Sequence, residues 1–174
     1  MTAIPTAIGA DERVKLVLDS CRLDYVYEPA WDRLLARVCG LLESSKTVAW
    51  CQPGEADGGG ADRLVLADPR ARFVRDNVNG FLLGRDLNCS LPLVRSGDGG
   101  GELDELLAAW QRSTGGDALV AAAFLRDRRE PVDGPRMAVQ AFFSSAVDAI
   151  VIGRFLLMKD YWLMRMPQTA AGAV

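Results

Sequence analysis

Apolar residues recur along this chain with two different periods. Over 11–23, Val14, Val17, Leu18 and Cys21 fall on one side at helical spacing, with Asp11 placed to cap the start. A stronger stripe of Trp31, Leu34, Leu35, Val38, Leu41 and Leu42 begins just after Pro29, while Asp32, Arg33 and Arg37 take solvated positions. Ser44 and Ser45 end that second helix. Thr47, Val48, Ala49, Trp50 and Cys51 have the β-branched and aromatic character of a buried strand, and the RLVLA run at 63–67 predicts a second strand antiparallel to it. Asp68-Pro69 signals a turn followed by one or two helical turns over 70–78, and 81–83 and 87–94 read as extended, with Gly84 and Pro92 favouring an edge. Leu103, Leu106, Leu107 and Trp110 make a short amphipathic helix closed by Thr114-Gly115-Gly116. The continuous apolar run at 117–125 reads as a central strand covered on both faces, with helix as the alternative because alanine favours it.

The last long segment, 135–166, dominates the pattern. Val139, Phe143, Val147, Ile150, Leu157 and Tyr161 recur at helical intervals, and Phe142, Ala149, Ile152, Phe155 and Leu156 fill the other side. This predicts a long helix needing a partner on each of two faces. Gln140, Ser144 and Asp148 succeed one another at steps of four and would form one polar stripe, either a solvent-facing edge or, turned inward with Arg154, a polar pocket. The second half has little polar relief, and Phe155, Met158, Tyr161, Trp162 and Met164 are the candidate interface, docking either on the chain itself or on a partner. The fold predicted is α+β, one mixed or antiparallel sheet of about four to five strands packed between helices and closed by the long C-terminal helix. A single α/β domain over 11–166 is expected, with flexible tails at 1–10 and 167–174.

Composition narrows the chemistry. The net charge of −3 and the lack of any basic stripe disfavour nucleic acid. Lys15, Lys46 and Lys159 are the only lysines, and the excess of arginine reads as a coding bias rather than a site. No histidine is present, which removes the commonest general base and the usual serine triad. Cys21, Cys39, Cys51 and Cys89 form no C-x-x-C pair, so they read as buried thiols in a reducing cytoplasm, with a long-range disulfide as the alternative. Beside Asn88 and Ser90, Cys89 is the least implausible nucleophile for an enzyme. The glycine-rich stretches at 57–60 and 97–101 match neither phosphate-binding motif, and Glu55, Asp57 and Asp62 lack the spacing of a calcium loop. No catalytic constellation, metal or cofactor is therefore expected. Asp148 and Arg154 interrupt the apolar segment, so no membrane span is expected either.

The layout resembles a GAF domain. The helix at 31–42 runs into the strand at 47–51, a turn leads to the strand at 63–67, and a terminal helix rich in alanine and apolar residues, with Ala146-Val147-Asp148-Ala149-Ile150, closes the sheet. That resemblance implies a sensory domain with a small-ligand pocket, placed between the sheet and the 81–94 region, and a dimerising last helix. It carries over no chromophore cysteine or nucleotide motif. A type III secretion chaperone is a comparable resemblance and implies a client binder. The function expected is a non-catalytic cytoplasmic module acting through a protein interface, as a homodimer or as the accessory subunit of a larger complex. A small-ligand sensor is the alternative.

Overall fold

Helix α1 (Ala10–Ser20) buries Val14 and Leu18 as its stripe predicts. The computed structural model describes residues 9–52, 63–71, 93–98, 101–126 and 130–159. After the short strand β1 (Val26–Tyr27), α2 (Trp31–Glu43) buries Leu34, Leu35, Val38, Cys39 and Leu42. It stops where Ser44 Oγ donates back to the Gly40 carbonyl at 2.9 Å and Ser45 turns to φ +60°. This back-bonding is how serine competes with a continuing helix. Strands β2 (Val48–Cys51) and β3 (Arg63–Ala67) pair antiparallel, with Val48 opposite Leu66 and Cys51 opposite Arg63. Next come β4 (Leu93–Arg95), α3 (Gly101–Thr114) and β5 (Ala118–Ala123). The run at 118–123 is thus strand and not helix. Among the described strands it sits next to the sheet edge rather than at its centre, and β4 takes the edge itself. Strands β6 (Leu125–Arg126) and β7 (Glu130–Pro131) form a small separate pair.

The segment from 135 onward departs from expectation. Helix α4 (Gly134–Ser144) ends where Ser144 Oγ bonds the Gln140 carbonyl at 2.9 Å and Ser145 Oγ bonds the Phe142 carbonyl at 2.9 Å. The chain then turns into strands β8 (Ala149–Ile152) and β9 (Phe155–Met158), a hairpin with Gly153 and Arg154 as its two-residue turn. A hairpin therefore stands where a long closing helix is predicted. The apolar residues beyond Ser144 find their two covered faces inside the sheet, where a buried strand also needs cover on both sides.

Counted over the described residues, the sheet has seven strands rather than four or five, in the order β1-β9-β8-β2-β3-β5-β4. It is mixed. Only β2 and β8 run parallel, with Val48 beside Ala149 and Cys51 beside Ile152, and every other neighbouring pair is antiparallel. Side chains alternate between its faces. Ala49, Cys51, Val65, Ile150, Ile152, Phe155 and Leu157 join α1 and α4 in one core, while Val48, Trp50, Leu66, Leu119, Val151 and Leu156 join α2 and α3 in the other. The result is helix, sheet, helix in three layers. The expected helical turns at 72–78, the extended residues at 81–92, Tyr161, Trp162, Met164 and both tails lie outside the described residues.

Candidate functional site

The one parallel pair among the described strands, β2 and β8, ends beside a groove. At the carboxyl ends of β2 and β8, Cys51 and Ile152 are the last strand residues, and Gly153 N donates to the Cys51 carbonyl at 3.0 Å. Just beyond, Gln52 is buried and its Nε2 donates to the Gly153 carbonyl at 3.2 Å, while Arg63 Nη1 donates to the Gln52 carbonyl. Ligand crevices in sheets with parallel strands open at such carboxyl ends. Here a groove of about 560 Å³ lies between the first turns of α1 and α4, over Cys51 and Ile152. Val14, Val17, Pro135, Ala138 and Ile152 give it an apolar lining, and Arg13, Arg63, Arg136 and Asp133 supply the charges.

Cys51 is a free thiol that lines this groove and belongs to the core beneath it. Burial pushes its pKa up to about 12, only partly offset by the nearby Arg63. At neutral pH the sulfur is therefore protonated, and a protonated thiol is a poor nucleophile. Cys39 is also buried and its pKa is likewise raised by desolvation. Cys21, expected to be buried, is exposed, because it follows the last residue of α1 as the cap and leaves the apolar face to Val14 and Leu18. Cys89 and the acids Glu55, Asp57 and Asp62 fall outside the described residues. Among the described residues no group of three acids or cysteines is placed to hold a metal ion, and no helix is long and apolar enough to cross a membrane.

The expected polar stripe does not form, because the helix that would carry it ends at its second member. Gln140 and Ser144 are exposed on α4, whereas Asp148 lies past the helix end. Its Oδ2 accepts from Thr47 N at 2.8 Å and from Thr47 Oγ1 at 3.1 Å, and its own N–H donates to the Thr47 carbonyl at 3.2 Å. Asp148 thus locks the start of β8 to the start of β2 instead of pairing with Arg154. Arg154, at the β8–β9 turn, donates to the Pro29 carbonyl and sits 5.6 Å over the Trp31 ring. Lys159 closes the opposite end of the hairpin, its ammonium donating to the Ser145 carbonyl and lying 4.8 Å from the centre of the Phe142 ring.

The candidate interface residues divide. Phe155 is 2% exposed and packs edge-on against Tyr25, with ring centres 5.3 Å apart, so it is an internal contact and not a docking residue. Met158 is half-buried against the α2–α3 core. The three groove arginines come from α1, β3 and α4 and share no spacing in sequence that would have grouped them. No protein-family model matches the chain, and no match emerges among curated proteins.

Proposed function

We propose that this chain is a small-ligand-binding module whose site is the groove over the carboxyl ends of β2 and β8. The groove itself carries the reading. Its volume of about 560 Å³ falls within the roughly 300–1,000 Å³ usual for ligand pockets, and a mostly apolar lining with a few charged groups is their usual composition. The protonated Cys51 thiol and a sequence without histidine favour binding over catalysis. Free buried thiols fit a reducing, cytoplasmic setting. A sensor or regulatory role follows if occupancy alters how the chain meets other proteins. The protein-interface reading has lost the over-apolar helix that motivated it and retains only Tyr161, Trp162 and Met164, outside the described residues.

A thermal-shift screen of metabolites on the intact chain and on Ala10→Trp tests this, since Ala10 lines the groove and an indole there would fill it. A ligand at about 100 times its Kd adds about 2.7 kcal/mol, roughly 5–10 °C for a chain of this size. The expected result is at least one ligand whose shift disappears in Ala10→Trp. Shifts that persist in that variant, or none across the screen, would refute the groove as a site.

A further inference from the structure

We infer that the groove's ligand is a small amphipathic anion, a free acyl carboxylate being the simplest case, an inference that rests on the ligand-binding reading above. Charge complementarity decides the class. Arg13, Arg63 and Arg136 line the groove against a single carboxylate, Asp133, in a chain whose net charge is −3. Outside the groove, Arg37, Arg70, Arg95 and Arg126 pair with Glu28, Asp68, Asp117 and Glu130, while Arg22, Arg33, Arg112 and Arg154 lie apart from one another with no ion pair among the described residues. Arg13 and Arg136 make no such ion pair among the described residues. Two guanidinium groups on facing helices, without carboxylate partners, offer the planar donor forks that suit a carboxylate.

Asp11 and Glu12 line a separate concavity of about 260 Å³ with Lys15, Tyr25, Tyr27 and Phe155. The groove's remaining wall is hydrocarbon from Val14, Val17, Ala138 and Ile152, and its thiol is uncharged. An anionic head with an apolar body satisfies both halves, whereas a fully polar anion would leave the apolar wall uncovered. A monomeric acid is favoured over a lipid surface because the groove is concave, and Leu16 is the one lining residue among the strongly exposed large apolar side chains. A membrane surface would need a broader apolar face with a basic rim.

Titration calorimetry with octanoate and with 1-octanol, each below its aggregation limit, tests the inference on the wild type and on Arg13→Gln, Arg136→Gln and Arg112→Gln. Arg112 is exposed on α3, on the opposite side of the sheet. Octanoate is expected to bind about tenfold or more tightly than octanol, and each groove variant to weaken octanoate about tenfold. Octanol affinity should stay within about twofold in those variants, and Arg112→Gln should bind like the wild type. Equal binding of acid and alcohol, unaffected by either groove variant, would overturn the anion inference and leave the groove reading standing. Binding of neither would overturn the anion inference, with the metabolite screen deciding the groove separately. Tight association with phosphatidylglycerol vesicles but not with octanoate would also overturn it in favour of a membrane surface.

Discussion

At the scale of single residues, position rather than type decides what each group does. Cys51 and Cys21 are the same chemistry, yet one is held neutral by the core and the other is exposed. The raised pKa makes Cys51 a source of alkaline sensitivity. An unfolded thiol titrates near 9.0 and the folded one near 12, so the contribution is complete below about pH 9 and is lost as pH rises towards 12. Within that window the unfolded chain has released its proton and the folded chain has kept it, and stability falls by up to about 1.4 kcal/mol per pH unit. Urea unfolding of Cys51→Ala should show a shallower decline with pH than the wild type between about pH 9 and 11. Identical slopes would mean the thiol is not desolvated. None of this environment is legible locally. Trp50-Cys51 already reads as the end of a buried strand, but that Cys51 lies at the floor of a groove with Arg63 depends on chain that comes later.

Among the elements, those with a single unambiguous period were legible. Leu34, Leu35, Val38 and Leu42 are helical at any reading frame, and α2 forms where they predict; Val48 to Cys51 and the RLVLA run form β2 and β3 in the expected antiparallel pairing. The 135–166 segment misleads because residues apolar at nearly every position satisfy both periods at once. Two local signals were present. Ser144-Ser145 ends α4 as Ser44-Ser45 ends α2, and Gly153 follows the β-branched run Ile150-Val151-Ile152. Gly153 has φ +60°, the first position of the hairpin turn, and a Cβ there would lie 3.2 Å from Asp11 Oδ1. Gly153→Ala should therefore destabilise the protein by about 1–2 kcal/mol in urea unfolding. In the interior of a helix the same change would stabilise by about 1 kcal/mol, so the sign alone separates hairpin from helix.

For the whole molecule, the fold depends on one seam. Strands β2 and β8 join segments 101 residues apart, and the seam is fastened at both ends, by Asp148 on Thr47 and by Gln52 on Gly153. The three-layer arrangement was legible, because helices and strands alternate and each carries apolar residues to bury. Sheet size and order were not, since no residue announces that β9 will lie between β1 and β8. A fragment ending at residue 147 lacks both hairpin strands, leaving β1 without its partner and β2 without one neighbour. Its amide spectrum is expected to be undispersed, in contrast to that of the intact chain. A folded, dispersed fragment would show that the remaining strands suffice.

The seam also sets an order of events during synthesis. Among the described strands, β1 meets the sheet only through β9, and α1 packs on a core that includes Ile150, Ile152 and Phe155. Residues 10–27 leave the ribosome early but have no finished surface to settle on until residues 149–158 have emerged. Throughout that interval the apolar side of α1 and the unpaired side of β2 are open to other chains, the kind of surface through which incomplete chains aggregate.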